Sequence, residues 1–213
     1  MNELTVALPR GRILPGALAL LQRVGFDCQA MAAESRRLLW PFPERGVRFL
    51  LLRGTDIPTY VEYGAADLGI VGKDILLEQQ KDIYEPLDLR FGFCRLVVAR
   101  PQAPRRPTDV LHWSNIKVAT TFPRLTEAHF SKKGVQVEII TLGGAVELAP
   151  LVGLSDLVVD LVQTGRTLRE NGLVEVEEIL QSTARLVVNR ASQKTKFERV
   201  SQFIHELRLA LEA

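Results

Sequence analysis

The residues best suited to chemistry in this chain lie in one run, Asp160-Leu161-Val162-Gln163-Thr164-Gly165-Arg166-Thr167-Leu168. An apolar stretch at 157–162 leads into a turn of small and hydroxyl-bearing residues, and a helix-like segment at 167–171 follows. A strand that turns directly into a helix leaves the first N–H groups of that helix without backbone partners. Those donors, with the helix dipole behind them, suit a phosphate. Thr164 and Thr167 add hydroxyl donors, and Gly165 lets the backbone approach an anion closely. The same turn chemistry also serves simply to cap a helix. Asp160 tilts the balance toward a ligand. A carboxylate in an otherwise apolar strand is costly without a partner. Beside a phosphate it repels, so its use is to accept hydrogen bonds from sugar hydroxyls. The run reads as a site for a phosphorylated sugar.

Other groups stand at comparable positions. Leu8-Pro9-Arg10-Gly11-Arg12 follows a short apolar run and precedes a helix-like one. In α/β sheets the C-terminal strand ends face the ligand crevice. Arg10 and Arg12 there suit a polyanion that guanidinium groups grip in bidentate fashion, or are exposed loop arginines. Arg53-Gly54-Thr55-Asp56 ends the next strand in the same way, which makes Arg53 a second candidate for phosphate contact. Thr120 or Thr121 caps a following helix, and Asp67 caps a turn. Gly143-Gly144-Ala145-Val146-Glu147 opens a further helix-like segment, a second place for an anion. Glu147 acts on a ligand hydroxyl or amine, or only favours the helix dipole. His112, His129 and His205 have no metal-ligand spacing and read as structural or surface residues. No nucleophile–base set is visible. The chemistry is therefore phosphate-rich group transfer between bound substrates, driven by positioning and charge.

Alternating strand-like and helix-like segments must hold these groups, which predicts an α/β fold with largely parallel sheets. Strands are expected at 4–8, 48–53, 67–71, 116–120, 137–141 and 156–162. Helices are expected at 15–24, after a cap at Asp56, and at 73–80, 123–132 and 144–151. The run Gly64-Ala65-Ala66-Asp67-Leu68-Gly69-Ile70-Val71 echoes Gly153-Leu154-Ser155-Asp156-Leu157-Val158-Val159. We read the echo as two similarly built lobes, with 95–99 and 185–189 as the two crossing strands. Lobe I comprises 1–92 and 186–213, including an amphipathic final helix at 194–211. Lobe II comprises 93–185. Two lobes with two crossings leave a central cleft, where small ligands usually sit. The Pro- and Arg-rich segment 101–107 reads as a surface loop.

At 213 residues the chain can bury a substantial core. A formal net charge of +2 gives no general case for nucleic-acid or membrane binding. Cys28 and Cys94 have no C-x-x-C spacing, which suggests a reducing compartment and no zinc site. The first residues lack a signal-peptide layout, and no apolar run reaches membrane-spanning length, so a cytoplasmic protein is expected.

In four motifs the sequence resembles the ATP phosphoribosyltransferases, the family that opens histidine biosynthesis. They are Leu8-Pro9-Arg10-Gly11-Arg12; Ala65-Ala66-Asp67-Leu68-Gly69-Ile70-Val71-Gly72-Lys73-Asp74; Val146-Glu147-Leu148-Ala149-Pro150; and the run from Asp160 to Leu168 continuing to Asn171-Gly172-Leu173. The last is the most specific, and the resemblance spans nearly the whole chain. It implies a bilobal fold like the type II periplasmic binding proteins. It implies attack of N1 of ATP on C1 of phosphoribosyl pyrophosphate (PRPP) with Mg²⁺ bound to substrate, releasing pyrophosphate. Asp160 would hold ribose hydroxyls, and Thr164, Gly165, Arg166 and Thr167 would cradle the 5′-phosphate. Glu147 and Arg12 would bind substrate, and Arg53 and Arg10 would act on the ATP phosphates or the leaving pyrophosphate. Three departures stand out. Arg10 replaces a common Lys, Thr121-Phe122 replaces a common Lys-Tyr, and Ala145 replaces a common Ser. Nothing after Leu211 resembles the regulatory domain of the long members. The short form is therefore implied, which works in a hetero-octamer with a histidyl-tRNA-synthetase-like regulatory subunit.

Two other classes compete. A solute receptor shares the two-lobed layout, because fold alone does not decide function. A phosphoribosyltransferase for another base shares the phosphate turn.

Overall fold

The computed structural model describes residues 3–32, 37–103 and 116–212. His112 and residues 104–107 of the expected surface loop lie outside that set. The chain falls into two compact units, Met1–Phe93 with Thr183–Ala213, and Cys94–Ser182.

The first unit opens with β1 (Leu4–Pro9), buried at every position. α1 (Leu14–Arg23) carries Pro15 in its first turn, where a missing N–H costs nothing, and the chain then turns at Gly25 with φ +90°. There follow α2 (Gln29–Ala32), β2 (Leu39–Phe42), β3 (Val47–Leu52), α3 (Ile57–Glu62), β4 (Leu68–Gly72), α4 (Lys73–Gln79) and β5 (Tyr84–Asp88). The second unit holds β6 (Cys94–Pro101), β7 (Ile116–Thr120), α5 (Pro123–Lys132), β8 (Val137–Thr141), β9 (Leu157–Val162), α6 (Arg166–Glu170) and β10 (Leu173–Ser182). β11 (Ala184–Val188), α7 (Arg190–Thr195) and α8 (Phe197–Glu212) belong to the first unit again.

Each unit has its own sheet, ordered β2-β3-β1-β4-β11-β5 in the first and β10-β6-β9-β7-β8 in the second. The sheets are mixed rather than largely parallel. Three parallel strands (β3, β1, β4 and β8, β7, β9) are flanked by antiparallel ones. Both faces of each sheet are buried, and the strands alternate between them. In β6, Leu96 and Val98 enter one apolar cluster, while Val97 and Ala99 enter another. In the first unit, α1 and α8 cover one face around Phe26, Phe49 and Phe203, and α3 covers the other through Ile57 and Val61. α8 seats Val200, Phe203 and Leu207, each fully or nearly buried and worth about 1.5–3 kcal/mol.

The sequence echo has a physical counterpart. Asp67 donates its N–H to the Thr5 carbonyl at 2.8 Å and takes the Thr5 N–H on its carboxylate at 2.8 Å. Asp156 does the same to Lys117, at 2.8 and 2.9 Å. Each carboxylate thus ties the entry of one parallel strand to its neighbour. Asp67 goes further: it accepts from Ser192 Oγ at 2.6 Å and pairs with Lys196 at 2.8 Å. The segment expected as one helix over 194–211 therefore breaks at Lys196, whose ammonium turns inward between α7 and α8.

Three other expectations are corrected. Residues 144–151 form only a short 3-10 turn, Val146–Leu148, entered through Ala145 at φ 49°. Pro150 cannot donate to Val146 and excludes a continuing α-helix. Asp56 ends a 3-10 turn and makes no side-chain cap for α3. Strands β2, β5 and β10, absent from the sequence reading, complete the sheets.

Candidate functional site

The second unit brings Glu147, Asp160, Thr164, Gly165, Arg166 and Thr167 into one region around the end of β9. β9 is wedged between β6 and β7 and carries Val158, Val159 and Val162 into the core, so its last residues are fixed by packing. The chain leaves β9 through exposed Gln163 and Thr164 and turns at Gly165, a buried residue at φ +72° that L side chains rarely adopt. Thr164 Oγ1 accepts the Arg166 N–H at 3.4 Å, holding the turn open at the start of α6. Arg166 itself points along the helix: its Nε donates to Glu170 Oε1 at 2.7 Å, and both side chains are largely exposed. Its guanidinium is engaged away from the turn. The cradle is made of backbone and hydroxyl donors.

Asp160 is half-buried in β9 and accepts the Leu161 N–H at 2.8 Å. Burial pushes its carboxyl up to about 6, and the charge of Glu147 adds to the rise, against the Leu161 hydrogen bond. The 3-10 turn after Ala145 thus brings Glu147 within electrostatic reach of Asp160, although no helix forms there. A carboxyl perturbed by burial beside such a turn makes this strand end a candidate site. Thr120, by contrast, is structural: fully buried, it donates to the Val159 carbonyl at 2.9 Å and accepts the Phe122 N–H at 2.9 Å.

The first unit brings its arginines together by register. Pro9 pairs with Leu52, and the Arg10 N–H donates to the Leu52 carbonyl at 2.8 Å, so Arg10 and Arg53 leave adjacent parallel strands at one sheet edge. Both side chains are exposed. Arg12 Nη1 donates to the Gly92 carbonyl at 2.6 Å, which anchors the guanidinium beside the last residues of that segment. Asp67 caps no ligand; it is spent on the tie described above.

Two side chains that the sequence reading did not single out, Arg169 and Glu175, stand against the turn. A Cβ at Gly165 would lie 2.8 Å from Arg169 Nη1 and 2.9 Å from Glu175 Oε1, and Glu175 is paired with Arg95 at 2.9 Å. Arg169 was visible as a residue one helical turn beyond Gly165, but Glu175, with Arg95 paired to it, comes to the turn only through strand pairing.

Among the described residues no group of His, Cys, Asp and Glu is placed to hold a metal ion on its own, and no helix is long and apolar enough to cross a membrane. His129 is a structural residue, its side chain mostly buried against Phe130 and paired with Glu177 at 3.2 Å. Cys28 and Cys94 are buried and in no disulfide; burial pushes the Cys28 thiol up to about 11.

Two α/β units of this construction place the chain in the type II periplasmic-binding-protein class of folds. The periplasmic aliphatic sulphonate binding protein SsuA of Escherichia coli superposes with a TM-score of 0.62 at 14% identity, covering 98% of this chain and 72% of that one. The chain belongs to the ATP phosphoribosyltransferase family, whose model matches residues 53–209. An ATP phosphoribosyltransferase of Geobacter metallireducens is 57% identical over 204 residues, 96% of each chain. A chain of the ATP phosphoribosyl transferase (HisG:HisZ) complex of Thermotoga maritima matches at 34% identity with a TM-score of 0.83, covering 98% of both.

Proposed function

We propose that this chain is an ATP phosphoribosyltransferase that transfers phosphoribosyl from PRPP to N1 of ATP, the first step of histidine biosynthesis. Family membership sets the reaction, and the site of the second unit supplies the residues. The observation that carries the assignment of the sugar-phosphate site is Asp160 beside the Gly165 turn: an accepting carboxylate and a donor-rich turn at one strand end. The backbone donors of the turn, with Thr164 and Thr167, take the 5′-phosphate. Asp160 accepts from the ribose hydroxyls and holds C1 in line for displacement. At neutral pH a carboxyl that titrates near 6 is mostly ionised and ready to accept. The N1 lone pair of adenine attacks without a general base. Arg53 and Arg10, at adjacent strand ends, grip ATP phosphates or the departing pyrophosphate, and Arg12 adds a third cation.

Glu147 lies within electrostatic reach of Asp160, and a hard cation that travels with PRPP would ease the repulsion between the two carboxylates. Mg²⁺ carried by the substrate's own oxygens would neutralise charge on the pyrophosphate. The near full-length match to a chain of a HisG:HisZ complex supports a histidyl-tRNA-synthetase-like regulatory subunit, in a hetero-octamer of the short form. We assign the enzyme to the cytoplasm, where both substrates are made.

The test is pyrophosphate release from ATP, PRPP and Mg²⁺, with and without the synthetase-like partner. Release that requires both substrates supports the reading. PRPP binding without release, measured by titration calorimetry, would favour a receptor or a different base acceptor.

A further inference from the structure

Behind the Gly165 turn lies a row of charged side chains that the proposed reaction does not use. Glu175 stands on β10 opposite Ala99, immediately before a bulge between Glu175 and Glu177. Bulges re-aim side chains, and here Glu175 Oε1 comes to 2.9 Å from where a Gly165 Cβ would be. Arg95, opposite Val162 at the end of β9, pairs with Glu175 at 2.9 Å and with Glu178 at 3.4 Å. Arg95 thus stands on β6, which pairs with both β10 and the strand that feeds the turn, and its guanidinium holds two carboxylates of β10. Arg169 comes from the other side, reaching back along α6 to place Nη1 at 2.8 Å from the same point. Gly165 is gripped between an anion that Arg95 has already neutralised and a cation one helical turn away.

We infer that Glu175, fixed by Arg95 and opposed by Arg169, is a positioning residue for the phosphate turn. It keeps Gly165 in its left-handed conformation and so aims the donors at the 5′-phosphate. None of the three needs to touch substrate. The inference rests on the reading of residues 164–167 as the PRPP phosphate cradle. A turn held by a two-sided clamp keeps its geometry when the ligand is absent, and positional errors of about 1 Å cost up to about a hundredfold in rate. The neighbouring Glu177, on the same strand, is engaged by His129 and Lys133 and does not reach the turn. It is the matched control: an ion pair lost from β10 without loss of the clamp.

The experiment uses the enzyme with its synthetase-like partner and measures KM for each substrate separately. Glu175→Ala is expected to raise KM for PRPP about tenfold while KM for ATP stays within about twofold. Glu175→Gln, which keeps length and still accepts from Arg95, should recover most of that loss, and Glu177→Ala should leave both values unchanged. Should Glu175→Ala fail to fold, Arg95→Lys replaces the planar fork by a point charge and is expected to show the same PRPP-selective rise. A Glu175→Ala enzyme indistinguishable from Glu177→Ala, or a parallel rise in both KM values, overturns the positioning role. Titration with ribose 5-phosphate separates that failure from failure of the underlying reading. Wild type that does not bind this probe refutes the cradle itself. Wild type and Glu175→Ala that bind it equally refute only the clamp.

Discussion

The two units share a skeleton and differ at its strand ends. β3-β1-β4-β11 in the first corresponds in order and direction to β8-β7-β9-β6 in the second, and Asp67 and Asp156 make the same tie between corresponding strands. The first unit follows β1 with Arg10 and Arg12, β3 with Arg53 and β4 with Lys73. The second follows β7 with Thr121, β8 with Gly143 and Gly144, and β9 with Thr164 and Gly165. One unit presents charged side chains, and the other presents backbone and hydroxyl donors with a carboxylate. A repeated scaffold fixes where strand ends stand, and on the proposed reading the short turn sequences decide which part of a substrate each unit takes. Guanidinium groups suit a mobile polyphosphate, while a backbone cradle suits one phosphate that must not move.

The largest effect should come from the second unit's carboxylate. Asp160→Ala removes hydrogen bonds between sugar hydroxyls and a charged group, worth about 2 kcal/mol each. Two such bonds correspond to a loss of about a thousandfold in kcat/KM for PRPP. The melting temperature should stay or rise, since a half-buried charge is gone. Near-normal turnover would remove Asp160 from the site.

Next is the tie that the two units share. Asp67→Ala leaves Lys196, Ser192 and the Thr5 N–H facing a gap, and is expected to cost about 3 kcal/mol. Asp156→Ala loses the same backbone bond from a half-buried position, and should cost less. Thermal unfolding of both variants checks the ratio. Equal losses would show that the inward turn of Lys196 adds nothing.

These contrasts also show what was legible in the sequence. Inner strands β1, β3, β4, β7 and β9 announced themselves as apolar runs because packing covers them, and the edge strand β8 did so through its β-branched residues. Strands β2, β5 and β10 did not. β2 and β5 are sheet edges that contain Pro41 and Pro86, and β10 carries Glu175, Glu177 and Glu178 with two bulges that break its period. The same gap hid the clamp, since Glu175 reaches Gly165 only through the pairing of β10 with β6. The candidate site motif stood out in the sequence because Asp160 puts a charge in an apolar strand and Gly165 a glycine at the turn that follows it. Glu147 was read on a helix and stands on a 3-10 turn. The motif located the residue, while Ala145 and Pro150 decided its local structure.

The acidity of Asp160 sharpens the contrast over pH. Its carboxyl titrates near 6, raised from 3.8 mainly by burial. Between those values the folded chain holds a proton that the unfolded chain has released, so this group makes stability fall as pH rises through that window. Sugar binding runs the other way. The ionised form accepts, so KM for PRPP should rise as pH drops below about 6, approaching tenfold per pH unit. Asp160→Asn should flatten both trends. A KM for PRPP that is flat from pH 7 to 5 in the wild type would assign the hydroxyl contacts elsewhere.

The smallest effect is expected at Arg166, and it decides whether the division between the units is real. Its guanidinium is held by Glu170 at 2.7 Å on an exposed helix face, an i,i+4 pair worth about 0.3–0.5 kcal/mol. Arg166→Ala should therefore leave stability nearly unchanged. It should raise KM for PRPP no more than about threefold, because screened charge near the cradle is lost while every backbone donor stays. Arg53→Ala should instead lower turnover strongly, since a guanidinium is the contact itself in the first unit. A rise of about tenfold or more for Arg166→Ala would mean that Arg166 leaves Glu170 on binding. The second unit would then also hold phosphate through a charged side chain, and the two kinds of strand end would differ in degree only.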